Sequence, residues 1–179
     1  LTLHVRHVPG GAFSARVPHL APGETLEVEL PFGAVTLEAD TDRPLVLVVG
    51  GTGFAPARSI LDDMARRRVD RPITLIWGAR DAQGIYLRAA IAKWQRQWPQ
   101  SFRFIESLSA EQHEGAFHGR VDAALRAHCP ELTAHELYCC GSPAMVQTVR
   151  ETAQQALGLA PSRFHADVFV NGPADAWTP

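Results

Sequence analysis

Hydrophobic and polar residues alternate in two different ways along the chain. Before residue 40, apolar residues occupy every second position of three short segments, as expected of strands with one buried face. These segments span residues 1–8, 25–30 and 35–39, and glycine and proline turns separate them. The pattern predicts antiparallel strands that form part of a small β-barrel, the remnant of a first domain over residues 1–40.

From residue 45 onward, continuous apolar runs alternate with amphipathic segments. The runs predict strands covered on both faces over residues 45–49, 73–77, 102–108, 136–140 and 163–170. Between them, apolar spacings of three and four predict helices over residues 54–68, 85–98, 119–129 and 143–157. Because parallel strands are joined by right-handed crossovers, we expect an α/β domain over residues 45–179, with a five-stranded parallel sheet and helices on both faces.

A glycine-rich corner follows the first of these strands. Gly50, Gly51 and Gly53 let the backbone turn sharply, and Pro56 suits the first turn of a helix. A diphosphate there would meet free N–H groups and the positive end of the helix dipole. Because any α/β protein needs glycine between a strand and a helix, a purely structural role stays open. The dinucleotide fingerprint also requires a third glycine where this chain has Pro56.

Composition and charge narrow the range of partners. The 179 residues carry a net charge of −2, and the longest basic run covers only residues 66–68, so nucleic acid is not expected as a partner. Apolar runs are only of strand length, which predicts no membrane span. Three cysteines, two of them adjacent, match neither a disulfide framework nor an iron–sulfur or zinc ligand set. We therefore expect no metal site within the chain and a cytoplasmic location.

Distinctive residues follow four of the five predicted strands. In a parallel sheet the carboxyl ends of the strands form the edge that faces a ligand. Glycine, small and polar residues come after these strands at positions 50–53, 78–81, 140–145 and 171–172. We therefore expect a ligand site at this edge.

Several motifs, taken in order, have a specific spacing. They are VPGGAFS (8–14), LPFG (30–33), GGTGFAPARSIL (50–61), WGAR (77–80), IYL (85–87), YCCGSPAMV (138–146) and HADVFV (165–170). In these motifs the chain resembles the ferredoxin–NADP reductase superfamily. The resemblance is to its bacterial NAD(P)H:flavin oxidoreductases and to the reductase components of aromatic oxygenases and deoxysugar dehydratases.

The resemblance implies two cofactor sites. Gly10, Gly11 and Ser14 are expected at the pyrophosphate of FAD, and a plain turn is the alternative. The NADH or NADPH site is expected to comprise Gly51, Thr52, Gly53, Pro56, Gly78, Arg80, Asp81, Tyr86, Cys140, Gly141, Ser142, Pro143 and Met145.

Three residues are expected to act in catalysis. The resemblance puts Cys140 where nicotinamide meets flavin, Thr52 at the nicotinamide end, and Asp167 near the flavin. The polarizable sulfur of Cys140 can pack against both rings. The alternatives are a buried core cysteine at position 140 and a capping or pairing role for Asp167.

The implied activity is hydride transfer from NAD(P)H to FAD. Electrons would then pass to an acceptor outside this chain, which is a 2Fe-2S cluster, a ferredoxin or an oxygenase. NADH is favoured, because Asp81 suits a ribose hydroxyl, whereas Arg80 would suit the 2′-phosphate of NADPH. The alternatives are a reductase of free flavin, a non-catalytic electron-transfer or regulatory subunit, and a different nucleotide-binding α/β enzyme. The GxxxxGK[ST] loop of kinases and GTPases is absent.

One family motif has no counterpart here. The flavin-binding sequence Arg-x-Tyr-Ser/Thr is absent, and it would precede the strand that residues 1–8 resemble. Either the chain is a fragment of a longer protein or it has lost tight flavin binding. Because the chain begins with Leu1, where the motif would end, we expect a fragment.

Overall fold

Six parallel strands form one sheet in the computed structural model, which describes residues 1–30, 35–38 and 41–169. The strands are β1 (Leu45–Gly50), β2 (Ile73–Ala79), β3 (Phe102–Leu108), β4 (Phe117–His118), β5 (Glu136–Gly141) and β6 (Phe164–Val168). The α-helices are α1 (Phe54–Arg67), α2 (Arg88–Gln97), α3 (Val121–His128) and α4 (Pro143–Glu151). The order across the sheet is β4-β3-β2-β1-β5-β6.

The side chains of β1 enter two separate cores on opposite faces of the sheet. Leu47 and Val49 lie in the core covered by α1 and α2, whereas Val46 and Val48 lie in the core covered by α3 and α4. All four side chains are essentially inaccessible to solvent. Because both faces of the strand are covered, its sequence is an uninterrupted apolar run.

The order of the strands reverses beside β1. From β1 the chain builds outward through β2, β3 and β4, and it then returns to place β5 against the other side of β1. The Met145 side chain lies over the ends of both β1 and β5, where added Cβ atoms would meet it at 2.7 Å from Gly50 and 2.5 Å from Gly141. Open parallel sheets bind ligands outside the carboxyl ends of their strands at such a switch point.

The predicted α/β sheet and its four helices are confirmed, with changes at the ends of elements. α2 begins at Arg88 rather than residue 85, because Ala82–Gly84 form a 3-10 turn whose Gly84 N–H donates to Asp81 at 3.2 Å. α4 ends at Glu151 and continues as a π-helix over Thr152–Ala156. The sixth strand, β4, was not predicted, because its two residues are too few to show a period. No helix within the described ranges is both long and apolar enough to cross a membrane.

The short strands predicted before residue 40 are wrong for the residues that the structure describes. Residues 1–30 and 35–38 contain turns, irregular backbone and one 3-10 helix, Val17–His19. Alternation makes a segment suitable for a strand, but a strand also needs a neighbour with which its N–H and C=O groups pair. No such ladder forms in these two ranges, so the predicted β-barrel is not confirmed. Residue 39, part of the motif at 30–33 and positions 170–172 lie outside the described residues.

Gly53→Ala tests the contact between the glycine corner and β5. A Cβ at this position would collide with the backbone carbonyl of Cys140, which cannot move without shifting the strand. We expect the substitution to lower the free energy of unfolding by about 1–3 kcal/mol. Gly50→Ala is the matched control, because its Cβ would meet only the flexible Met145 thioether. Urea denaturation measures both variants, and an equal loss would contradict the contact.

Candidate functional site

A cavity of about 680 Å³ lies at the carboxyl edge of the sheet. The segments that follow β1, β2 and β5 line it, together with the end of β3, the start of α3 and residues 4–6. Eight of the residues predicted for the nucleotide site line this cavity, namely Gly51, Thr52, Gly78, Arg80, Asp81, Tyr86, Ser142 and Met145. The structure therefore brings together most of the residues predicted for NAD(P)H.

The glycine corner is held rigidly against the aromatic residues beneath it. Gly51 has φ +52°, a left-handed conformation that favours glycine. Its carbonyl oxygen accepts a hydrogen bond of 3.0 Å from the Trp77 indole, and the Trp77 ring stacks on Phe54 with 3.8 Å between ring centroids. These contacts fix the backbone that leads to Thr52 at the wall of the cavity.

Two helical segments begin at this cavity. The first is the 3-10 turn Gly51–Gly53, which lines the cavity with Gly51 and Thr52 and continues into α1. The second is α4, which has Pro143 as its first residue and Ser142 as its N-cap, whose hydroxyl accepts the Met145 N–H at 3.4 Å. Helix N-termini carry a partial positive charge and free N–H groups, so an anionic ligand is favoured between them.

The loop after β2 is braced from the neighbouring strand β3. Arg88 forms a two-pronged ion pair with Glu106 at 2.6 and 2.7 Å, and these bonds raise the pKa of Arg88. Glu111 accepts the Ala82 N–H at 2.8 Å. The carboxylates beside the loop are thereby engaged with protein donors, whereas the exposed Arg80 side chain contributes a positive charge to the wall of the cavity.

A second, smaller cavity of about 180 Å³ is lined by three more of the predicted residues, whereas Gly53, Gly141 and Pro143 line neither cavity. The three are Pro56 of α1, Cys140 of β5 and Asp167 of β6. Cys140 and Asp167 are direct partners in the parallel register of the two strands. Burial, and to a smaller extent the charge of Asp167, raise the pKa of the Cys140 thiol to about 12. At neutral pH the Cys140 thiol is therefore uncharged, and it forms an apolar part of the cavity lining rather than a nucleophile or a base.

The three residues predicted to be catalytic do not line one common cavity. Thr52 lies in the larger cavity, whereas Cys140 and Asp167 lie in the smaller one. Gly53 separates the two, since it packs directly on the Cys140 backbone. Cys139, the neighbouring cysteine, is buried in the core on the opposite face of the sheet, as the alternation along a strand predicts.

Gly10, Gly11 and Ser14 form a local turn that lines neither cavity. The Gly11 N–H donates to the Val8 carbonyl at 3.0 Å. The Ser14 hydroxyl accepts the Val8 N–H at 3.1 Å. The described residues thus use these groups within the turn, and the FAD role of the three residues stays a prediction.

Sequence reasoning missed several residues of the larger cavity. They include two serines at the end of β3, the basic residue before α3, and two residues near the start of the chain, namely Ser107, Ser109, Arg120, His4 and Arg6. The rule that ligands meet the carboxyl ends of strands could have identified the serines, because Ser107 is the last residue but one of the third strand and Ser109 directly follows that strand. No local signal connects His4 with residues that lie more than fifty positions further along the chain.

Comparisons with known proteins agree with this geometry. The sequence profile described as "Oxidoreductase NAD-binding domain" matches residues 47–151. Reductase component 2 of terephthalate 1,2-dioxygenase from Comamonas sp is 55% identical, with 97% of this chain and 52% of that protein covered. The xylene/toluene monooxygenase electron transfer component XylA of Pseudomonas putida is 34% identical, with 97% and 50% covered. The chain thus spans about half the length of these relatives.

Solved structures show the same fold. The crystal structure of the Amycolatopsis cytochrome P450 reductase GcoB superposes with a TM-score of 0.86 at 31% identity, over 93% of this chain and 51% of that one. A ferredoxin NADP+ reductase from Neisseria gonorrhoeae has a TM-score of 0.78 at 20% identity, over 90% and 71% of the two chains. The chain therefore belongs to the oxidoreductase NAD-binding domain family, within the ferredoxin–NADP reductase superfamily.

Proposed function

We propose that the larger cavity binds a nicotinamide dinucleotide and that the protein is an NAD(P)H-dependent flavin oxidoreductase. The observation that carries the proposal is the convergence of the glycine corner, which leads into α1, and the N-terminus of α4 on one cavity at the switch point of the sheet. A diphosphate needs donors and positive potential, which the glycine corner and the start of α4 would supply. The cavity of about 680 Å³ is also in the size range of small-molecule sites.

The residues that line the larger cavity suit a nicotinamide dinucleotide. Gly51, Thr52 and Ser142 would hold the diphosphate of the dinucleotide, and Asp81 or Arg80 would meet its adenosine ribose. When bound, the nicotinamide supplies a hydride and FAD accepts it. The chain contributes placement, because holding two reactants in contact removes most of the entropic cost of bringing them together.

Cys140 would act by packing in this reaction. Its neutral thiol lies at the wall of the smaller cavity, and sulfur can contact aromatic rings without competing for a proton. Pro56 lies beside it, and the exposed carboxylate of Asp167 lies opposite in the strand register. We therefore assign ring placement to Cys140 and Pro56, and an electrostatic role to Asp167.

The similar proteins indicate the partners. The terephthalate and xylene relatives are reductase or electron-transfer components of oxygenases, so we propose that electrons leave toward an iron–sulfur centre of a ferredoxin or an oxygenase. Residues 1–40 would be the end of a flavin-binding domain and residues 45–179 the nucleotide-binding domain. The three cysteines are free and buried, which agrees with a cytoplasmic location.

Arg80→Ala tests the preference for NADH. Without a 2′-phosphate to bind, the exposed Arg80 contributes little, so the affinity for NADH should change by less than about 1 kcal/mol. Arg96→Ala, an exposed substitution at the far end of α2, is the control. Titration calorimetry with NADH and NADPH measures both affinities. A wild type that favours NADPH, and loses that preference in Arg80→Ala, would reverse the assignment.

Cys140→Ala tests the role of the buried thiol in ring placement. In the full-length protein loaded with FAD, we expect flavin reduction by NADH to slow by roughly 10- to 1000-fold, or about 1.4–4 kcal/mol, with little change in nucleotide affinity. Cys139→Ala is the matched control, because it removes a thiol from the opposite face of the same strand. Anaerobic stopped-flow absorbance isolates this step. Equal rates in the two variants would leave Cys140 with a packing role alone.

The affinity of residues 1–179 for FAD tests the flavin half-site. The hydroxyl of Ser14 and the N–H of Gly11 are engaged within their own turn, and few contacts are left to offset the ordering of a flexible ligand. We expect this chain to be colourless and to bind FAD weakly while binding NADH. An absorbance spectrum and a fluorescence titration with FAD measure this. Stoichiometric FAD retained through gel filtration would contradict the expectation.

A further inference from the structure

His4 joins the first segment of the chain to the larger cavity. Its Nδ1 atom lies 2.6 Å from the hydroxyl oxygen of Tyr86, and its Nε2 atom lies 3.3 Å from Nη1 of Arg58 in α1. The imidazole also contacts the Phe54 ring, with 6.2 Å between centroids. Both His4 and Tyr86 line the cavity, so this contact is part of its wall.

The neighbours of His4 determine where its proton lies. A guanidinium can only donate hydrogen bonds, so the Nε2 atom that faces Arg58 must accept. A neutral imidazole has one donor and one acceptor nitrogen, and Nδ1 therefore carries the proton and donates it to the Tyr86 oxygen. Burial, followed by the charge of Arg58, lowers the pKa of His4, which keeps the ring neutral at pH 7.

This arrangement leaves the hydroxyl hydrogen of Tyr86 without an acceptor among the described residues. The Tyr86 oxygen receives the bond from His4, and no protein group in the described ranges takes the Tyr86 proton. Burial raises the pKa of Tyr86 to about 12, so the hydroxyl stays protonated. Its ring is held edge-on against Trp77, with 5.1 Å between centroids, which keeps the hydroxyl in place.

We propose that His4 is a positioning residue, which orients the Tyr86 hydroxyl as a donor to an oxygen of the bound dinucleotide. The inference rests on the proposed nucleotide function, and it adds a residue from the first segment of the chain to that site. His4 and the dinucleotide do not need to touch, because the effect of His4 passes through the Tyr86 hydroxyl.

A double-mutant cycle with NAD+ tests the coupling. A hydrogen bond contributes about 0.5–1.5 kcal/mol, so His4→Ala and Tyr86→Phe should each weaken binding about two- to tenfold. The double variant should bind no more weakly than Tyr86→Phe alone, since His4 has no route to the ligand once the hydroxyl is gone. His4→Asn, whose amide can replace the Nδ1 donor, should recover most of the affinity. His7→Ala removes an exposed histidine of the same segment and is the control.

The pH dependence of binding supplies a second readout. The charged groups that face His4 are Arg58 and, through its ion pair of 3.4 Å with that arginine, Asp62. Protonation would turn Nε2 into a donor against a guanidinium and break the network. Affinity should therefore be full above the ordinary histidine pKa of about 6.5 and decline as the pH falls through the lowered pKa of His4. This decline should disappear in Tyr86→Phe.

The tautomer of His4 can be observed directly by 15N NMR of the imidazole. A proton on Nδ1 is the expected result, and a proton on Nε2 would overturn the inference. Additive losses in the double-mutant cycle would overturn it as well. If wild-type protein binds NAD+ but His4→Ala binds it equally well, only this inference fails. If the wild type binds neither NAD+ nor ADP-ribose, the proposed nucleotide function fails and this inference fails with it.

Discussion

The approach of Gly53 to the backbone of Cys140 holds the functional edge of the sheet together. No other residue could occupy this position without moving either the start of α1 or the end of β5. The larger cavity lies on one side of the contact, against Gly51 and Thr52, and the smaller one lies on the other side, against Pro56 and Cys140. Because this backbone contact lies between the two cavities, ligands bound in both would keep a fixed distance and orientation to each other.

Charge around the larger cavity is arranged to favour an anion. The glycine corner and the start of α4 contribute partial positive charge, and Arg80 contributes a full charge, whereas Arg120 is paired with Asp122 at 3.3 Å. The acidic residues nearby are already occupied, since Asp81 caps a turn and Glu106 pairs with Arg88. The repulsion that free carboxylates would exert on a diphosphate is thereby reduced. The same bonds brace the loop that carries Arg80. They therefore both reduce the negative charge facing the cavity and hold this loop in place.

The described residues before β1 form no strand, yet this first segment contributes to the larger cavity. Most of its residues are exposed, but His4 lies between Arg58 and Tyr86. Further along, Tyr138 donates to the Thr36 carbonyl and accepts the Glu38 N–H, so the segment is also attached to β5. These polar contacts, a further bond of 3.1 Å from Arg71 to the Glu38 carbonyl and the packing of Leu37 on the core hold the segment against the α/β domain without a shared sheet.

The apolar runs and the glycine corner were sufficient to predict the α/β sheet, its helices and the edge at which the larger cavity lies. Each of these features depends on neighbours along the chain, such as the run at 45–49 that precedes Gly50. The strands predicted over residues 1–8 and 25–30 failed, because a strand needs a partner that a local period cannot supply. Only the tertiary structure decided that Thr52 and Cys140 line different cavities and that His4 contacts Tyr86. Strand order sets which loops meet at an edge, and residues 82 positions apart become neighbours only when the chain packs.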